Sequence, residues 1–233
     1  MRQDICTIPV SEVFEVTDGC PFCRMHKTVE ERIINFIMGD AMMESDVRIE
    51  TNKHGFCPDH FEKMLAHNGR LQLSLMLNTH LAEIFADCLI SGLSPKTAAE
   101  KANDIVNSCF ICDKIAWGEE RMIATVYRLY EQEEDFRKLF NAQPHFCLPH
   151  FAKIMGGINK KTCRKHGKEM AEKLISATKD YCADLTEKLK NYSFMYDYRN
   201  AGNKDFGDSR FSVEDSINFL TMSQNSDLHK PTK

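Results

Sequence analysis

The sequence predicts an all-α protein of two related helical lobes, each held together by one Cys₃His metal site. Three observations lead to this prediction. Hydrophobic residues recur at helical spacing along most of the chain, strand-like alternation is scarce, and residues with metal-ligand spacing occur twice in the same order. A hydrophobic content of 42% and a charged content of 27% are typical of a globular domain.

The pattern C-x-x-C followed by C-x-x-H occurs twice and accounts for six of the ten cysteines. The predicted ligands are Cys20, Cys23, Cys57 and His60 in the first site, and Cys109, Cys112, Cys147 and His150 in the second. Three sulfurs and one imidazole form a closed tetrahedral zinc site with no open position for water or substrate. We therefore expect two structural Zn²⁺ ions per chain and no catalytic residue.

Residues that bind no metal repeat in the same register as the ligands. The matching pairs of segments are 30–34 with 119–123, and 44–48 with 133–137. This agreement predicts an internal duplication, because two chance cysteine clusters would not share their neighbours. The expected organisation is an N-terminal lobe over residues 1–93, a C-terminal lobe over 94–198, and a loop, short helix and flexible tail over 199–233.

Helices are predicted for most of both lobes from hydrophobic spacing and from their start and stop residues. Ser94 is a suitable N-cap, and Pro58 suits a first helical turn. The first lobe is expected to have helices over 23–39, from about 58 and over 71–90, with a polar irregular segment at 46–54. The second lobe is expected to have helices over 96–107 and 114–130, and a helix or helical pair over 148–192 that is loosened at Gly156-Gly157. A short helix is expected beyond this lobe, over 213–222.

Several other residues could take part in metal binding. His54 and His145 lie close to Cys57 and Cys147 and are alternative ligands, although the C-x-x-H spacing fits better. Cys163 and His166 form a third C-x-x-H without a C-x-x-C partner. His80 lies on an apolar helix, where a hydrogen-bonded core histidine is a simpler interpretation than a catalytic base.

Two alternative functions remain open beside a structural zinc protein. The C-x-x-C pairs could act as a thiol redox sensor or enzyme that releases metal on oxidation. The basic run from Lys160 to Lys168 could contact nucleic acid, although a net charge of −4 does not favour that partner. An iron–sulfur cluster is the less favoured metal, because its ligands are usually four cysteines.

The expected location is the cytoplasm. The first ten residues contain no apolar stretch typical of a signal peptide, and polar residues interrupt the apolar segment from Leu71 to Ile90. Ten cysteines without a secretion signal favour metal binding in a reducing compartment over disulfides. The expected partner is an unidentified protein or small molecule, with no membrane span.

With these motifs in place, the chain resembles a bacterial family of uncharacterised proteins that is catalogued as a domain of unknown function. The resemblance covers nearly the whole chain. It depends on segments 7–12, 20–23, 42–48, 51–52, 55–57, 75–80 and 197–200. The family has no established activity, so the resemblance implies no substrate. The sequence therefore predicts a zinc-binding module with a binding or regulatory role.

Overall fold

The computed structural model describes residues 7–196 and 207–222 and is all-helical over these ranges, which confirms the predicted fold class. The α-helices are α1 (Thr7–Glu15), α2 (Pro21–Met38), α3 (Ser45–His54), α4 (Pro58–Ala66), α5 (Arg70–Cys88), α6 (Pro95–Val106), α7 (Phe110–Gln132), α8 (Glu134–Asn141), α9 (Leu148–Gly157), α10 (Gly167–Met195) and α11 (Ser212–Thr221). Short 3₁₀ turns cover Asp40–Met43 and Gly207–Ser209.

The start residues of several helices are those that the sequence indicates. The Ser94 hydroxyl accepts a hydrogen bond from the Thr97 backbone N–H at 3.1 Å, so it caps α6 as predicted. Pro58 occupies the first turn of α4. The glycine pair at the end of α9 separates it from α10, and most of the predicted tail lies outside the described residues.

The prediction of an irregular segment at 46–54 is wrong, because these residues form α3. Its sequence has little hydrophobic periodicity, so the helix depends on contacts with α5. Arg48 Nη2 donates a hydrogen bond to the Leu75 carbonyl oxygen at 2.7 Å, and Thr51 is buried. Tertiary contacts of this kind commonly outweigh local propensity.

Helix α8 was not predicted either. Its sequence nevertheless contains features that stabilise a helix over Glu134–Asn141. Glu134 and Asp135 lie in the first turn, where carboxylates stabilise the positive end of the helix dipole. Phe136 and Phe140 lie four residues apart and are both buried. Glu134 and Asp135 therefore begin a short amphipathic helix.

Contacts along the chain divide it into two compact units. The composite unit consists of residues Met1–Lys27 together with Glu120–Lys233, and the inserted unit consists of Thr28–Glu119. These limits differ from the predicted halves, whose boundaries at 93 and 198 stay a prediction. The chain passes from one unit to the other within α2 and again within α7.

The core of the composite unit is aromatic. The Phe14 ring of α1 lies 5.6 Å from that of Phe22, 5.1 Å from that of Phe136 and 5.6 Å from that of Phe140. Burial of each such ring contributes roughly 1.5–3 kcal/mol. Helix α1 is thus packed against α8, which lies far away in sequence. Helix α10 buries Met170, Leu174, Ala177 and Leu185, which recur every three or four residues.

The core of the inserted unit is aliphatic and rich in methionine. It combines Ile34, Ile37, Met38, Met42, Met64, Leu73, Met76, Ile111 and Ile115. His80 points into this unit, where its Nδ1 lies 2.6 Å from the Asn52 carbonyl oxygen. His80 is therefore a hydrogen-bonded core residue, as predicted. None of the described helices has both the length and the hydrophobicity of a membrane span.

Candidate metal centres

Eight side chains converge in two groups of four, one in each unit. The first cluster is Cys20, Cys23, Cys147 and His150, and the second cluster is Cys57, His60, Cys109 and Cys112. In each, the four ligand atoms lie within 4.8 Å of one another. The prediction that each C-x-x-C meets the next C-x-x-H is wrong, because each meets the C-x-x-H of the other predicted set. Both groups have the Cys₃His composition expected, and metal binding by the eight residues stays a prediction.

The spacing within the first cluster suits a single ion. Cys23 Sγ lies 3.5 Å from Cys147 Sγ, and His150 Nδ1 lies 3.4 Å from Cys23 Sγ and 3.1 Å from Cys147 Sγ. Cys20 Sγ is 3.8 Å from the same nitrogen. A tetrahedral zinc site with bonds of about 2.3 Å to sulfur has edges of about 3.8 Å between sulfurs. The geometry is therefore compatible with one bound metal ion.

The second cluster has the same dimensions and greater exposure. His60 Nδ1 lies 3.1 Å from Cys57 Sγ, 3.3 Å from Cys109 Sγ and 3.5 Å from Cys112 Sγ. Cys57 Sγ and Cys112 Sγ are 3.9 Å apart. All four side chains of the first cluster are buried, whereas here Cys57 is half-buried and Cys112 is exposed. The two centres thus share a ligand set but differ in access to solvent.

Helix N-termini bring the ligands together in both clusters. Each C-x-x-C lies at the start of a long helix, α2 or α7. Cys57 and Cys147 are the N-cap residues of α4 and α9, with an extended backbone, so each histidine falls in the first turn. The positive ends of two helix dipoles therefore meet at each cluster, which stabilises negatively charged sulfur.

Contact between the sulfurs shifts their proton affinities in opposite directions. Burial by itself raises the pKa of Cys20, but hydrogen bonds with Cys147, Cys23 and His150 outweigh it and hold that pKa well below its usual value. Hydrogen bonds to Cys147 and Cys20 raise the pKa of Cys23, and the bond to Cys20 is the main cause that raises the pKa of Cys147 to about 12. Three thiolates cannot coexist at this distance unless a cation balances them. Metal binding would therefore displace protons from the cluster.

The second cluster shows the same division between its two C-x-x-C residues. Burial opposes ionisation of Cys109, but hydrogen bonds, chiefly from His60, lower its pKa to about 6. Burial, together with the neighbouring Cys109 thiol, raises the pKa of Cys112 to about 12. In both clusters the pKa of the first cysteine of the C-x-x-C, Cys20 or Cys109, is thus lowered, and that of the second, Cys23 or Cys112, is raised.

Hydrogen bonds to two backbone carbonyl oxygens align the two ligand segments of the second cluster. The Phe110 N–H donates to the Gly55 carbonyl oxygen at 3.0 Å, and the Ser108 hydroxyl donates to the His54 carbonyl oxygen at 2.6 Å. Gly55 has a φ of +59°, and a Cβ there would lie 2.9 Å from His80 Nε2. Glycine is therefore required at the turn that leads into Cys57. This part of the site is organised by the chain itself.

A carboxylate that the sequence analysis did not select orients the histidine of the second cluster. Glu30 Oε1 lies 3.1 Å from His60 Nε2 and 2.6 Å from Lys63 Nζ. The hydrogen bond from His60 is the largest cause that lowers the pKa of Glu30 to about 2. A carboxylate on one imidazole nitrogen fixes the ring and strengthens the other nitrogen as a ligand. The sequence did contain an indication of this role, because Glu30 lies in segment 30–34, which matches segment 119–123 although neither contains a predicted metal ligand.

We expect Glu30→Ala to weaken zinc binding at the second cluster by about 10- to 100-fold, because His60 loses the acceptor that orients it. Competitive titration with a chromophoric chelator would measure this loss, and the first cluster should keep its affinity. Glu31→Ala is the matched control, since Glu31 is exposed on the same helix. Equal affinities in the Glu30 and Glu31 variants would contradict an orienting role.

The other candidate ligands lie outside both clusters. His54 Nδ1 is 3.2 Å from Asp113 Oδ2, and the His145 ring stacks on that of Tyr181 with centroids 3.5 Å apart. Cys163 Sγ lies 3.3 Å from Glu131 Oε2 and belongs to neither metal-capable group of the described residues. Glu131 also accepts backbone N–H bonds just before α10, so this third C-x-x-H forms part of a helix cap. The basic run at 160–168 is exposed apart from residues 162, 163, 166 and 167.

Comparisons with known proteins assign the chain to a family without assigning it an activity. No curated protein and no solved structure matches it. The model for the family described as "Family of unknown function (DUF6062)" matches residues 1–227, and this range includes all eight side chains of the two clusters. The chain therefore belongs to that family of unknown function.

Proposed function

We propose that each cluster binds one Zn²⁺ through four protein ligands, and that both ions stabilise the fold of a cytoplasmic binding or regulatory module. The observation that carries this proposal is the convergence of ligand atoms from segments far apart in sequence. Cys23 and Cys147 are separated by 124 residues, and Cys57 and Cys112 by 55. Each bound ion would link two of these segments at the starts of two helices, α2 and α9 in the first cluster and α4 and α7 in the second.

Burial and ligand number favour a structural role over a catalytic one. Each ion would have three sulfurs and one imidazole nitrogen, which fills the tetrahedral sites preferred by zinc. Cys20, Cys23, Cys147 and His150 are at most 6% exposed. Ligand distances of 3.1–3.8 Å in this cluster leave room for one ion, whereas a cluster of several irons attaches its ligands to different metals. The predicted duplication would explain why two such centres occur.

Metal analysis of protein purified without oxygen tests this proposal directly. We expect two zinc ions per chain and no absorption in the visible range. Visible colour with bound iron would identify the wrong metal, and fewer than one metal ion per chain would contradict the proposal altogether. Samples kept under a reducing agent would separate true absence of metal from loss by oxidation.

A thiol redox sensor is a second candidate, and the exposure of Cys112 favours it. Peroxide would take two electrons from two thiolates of the second cluster. A disulfide forms, the peroxide O–O bond breaks to give water after protonation, and the Zn²⁺ loses two ligands and leaves. Cys57 and Cys112, whose sulfurs are 3.9 Å apart, are suitable partners for this disulfide.

This second candidate predicts unequal loss of the two ions. Mild peroxide should release about one zinc per chain, from the second cluster, while the buried first cluster keeps its ion. Cys182→Ser is a suitable control, because Cys182 is exposed but belongs to neither cluster. Retention of both ions under mild oxidant would exclude the sensor, and so would a failure of reducing agent to restore binding.

A further inference from the structure

Helix α5 is apolar on the side that faces solvent as well as on the side that faces the core. Its buried residues are Leu73, Met76, His80 and Cys88. Six other residues of the helix and its C-cap recur at alternating intervals of four and three, and all are exposed: Leu71, Leu75, Asn78, Ala82, Phe85 and Leu89. These six residues are termed the α5 stripe. The intervals are those of a coiled-coil seam, which packs against another helix.

The charged residues of α5 all lie away from the stripe. They are Arg70, Glu83 and Asp87, and the helical repeat places each of them roughly 100° or more from the middle of the stripe. The four leucine and phenylalanine side chains of the stripe, and Leu81 beside it, are 40–70% exposed. Single exposed apolar residues are normal on a protein surface, but a contiguous apolar face of this length marks an interaction surface.

The neighbouring helix α6 leaves this face open. It packs against α5, and Lys101 of α6 pairs with Asp87 on the side of α5 that is turned away from the stripe. None of the 12 residues of α6 is buried. A helix of this length is marginally stable in water unless it is packed. The hairpin of α5 and α6 is therefore a part of the fold that a partner would stabilise.

The size of the exposed face fits a second copy of this chain. At roughly 100 Å² for each large apolar side chain, the five on this face offer about 500 Å². The exposed small side chains between them are Ser74, Asn78, Ala82 and Ala86. They raise the area toward the roughly 600 Å² that each partner contributes to a small stable interface. Two such faces together would bury about 1,200 Å².

The order of side chains along the stripe is self-complementary. Large side chains lie at both ends, and the two smallest, Asn78 and Ala82, lie in the middle. In an antiparallel pair of helices, the start of one stripe meets the end of the other. The contacts with the second copy are then Leu71 with Leu89, Leu75 with Phe85, and Asn78 with Ala82. Each contact occurs twice, as a two-fold interface requires.

We propose that the chain forms a two-fold dimer through the α5 stripe, with the two α5 helices antiparallel. This direction brings Arg70 beside the half of the other α5 that contains Glu83 and Asp87, whereas a parallel pair would place like charges together. It also aligns opposite ends of the two helix dipoles. The polar Asn78 lies near the two-fold axis, where a polar residue fixes the register of a helix pair. The stripe contains no residue of either metal cluster, so the dimer does not depend on the identity of the metal.

The mass of the full chain in solution tests the proposal. We expect sedimentation at tens of micromolar to give twice the chain mass of 26.8 kDa. Phe85→Glu places an unpaired carboxylate in the interface and should weaken the dimer by about 100-fold or more. Phe36→Glu is the matched control, because Phe36 is exposed on α2, outside the stripe, and this variant should remain a dimer.

Two results would overturn the dimer. A monomeric unmodified chain would do so and would leave the stripe to a different protein. A dimer that persists in the Phe85→Glu variant would place the contact on another surface. Circular dichroism would show that the variants keep their helical content, which we expect because both phenylalanines are exposed.

A mixture of two charged variants tests the antiparallel direction. Leu75→Glu and Phe85→Lys should each be monomeric alone, because each homodimer would contain two unpaired charges. Mixed together, they should form a dimer in which the new carboxylate meets the new ammonium group, while unchanged Leu75 and Phe85 meet across the axis. A parallel pair aligns residues of equal number and gains no such contact. A mixture that stays monomeric would therefore overturn the antiparallel arrangement.

Discussion

A chain carrying both Cys20→Ser and Cys147→Ser is expected to keep one zinc ion, whereas a chain carrying Cys20→Ser and Cys57→Ser is expected to keep none. The first pair removes two ligands from one cluster and leaves the other complete. The second pair removes one ligand from each cluster, and a serine hydroxyl, which remains protonated at neutral pH, replaces a thiolate poorly. Zinc content after dialysis against a chelator of moderate affinity would measure the difference.

Grouping of the ligands in sequence order would give the reverse result. If each C-x-x-C shared its ion with the next C-x-x-H along the chain, the Cys20/Cys147 variant would lose both ions and the Cys20/Cys57 variant would keep one. Cys182→Ser, which changes an exposed cysteine outside both clusters, should keep both ions and controls for the loss of a thiol.

Removal of both ions under reducing conditions is expected to abolish cooperative thermal unfolding, or to lower the unfolding temperature by tens of degrees. Structural zinc contributes about 10–16 kcal/mol to folding, while a whole domain is stable by only about 5–15 kcal/mol. Circular dichroism during heating would show the loss, and added Zn²⁺ should restore the transition.

The effect should also be local to each unit. In a Cys147→Ser chain, limited proteolysis should cut the composite unit, while residues 28–119 stay protected by the intact second cluster. An apoprotein that melts at the same temperature as the zinc-loaded chain would show that the ions do not stabilise the fold.

The sequence predicts the identity of the clustered residues better than their grouping. Two sulfurs in C-x-x-C, and a sulfur and imidazole in C-x-x-H, lie close together for local reasons of turn and helix geometry. Grouping depends on long-range packing instead. Cys57 follows Cys23 by 34 residues, whereas Cys147 follows it by 124. The entropy of closing the longer loop costs only about 1 kcal/mol more, so proximity in sequence is a weak guide.

Packing of α1 shows what decides the grouping. The ring of Phe14 is fully buried and stacks on Phe140, and the amide of Gln143 donates to the Phe14 carbonyl oxygen at 2.7 Å. These contacts hold Cys20 and Cys23 beside Cys147 and His150, and they outweigh the small entropic preference for the C-x-x-H that is nearer in sequence. The sequence around Phe14 and Gln143 contains no pattern that predicts this contact.

The composite unit has a consequence for the order of events on the ribosome. The second cluster has all its ligands once Cys112 has been synthesised, but the first cluster must wait for Cys147 and His150. At a synthesis rate of about 5–20 residues per second, the roughly 38 residues from Cys112 to His150 take roughly 2 to 8 seconds. Cys20 and Cys23 are therefore the first of the eight clustered residues to be synthesised, but their cluster is the last to have all its ligands. A nascent chain carries two reactive thiols through most of its own translation.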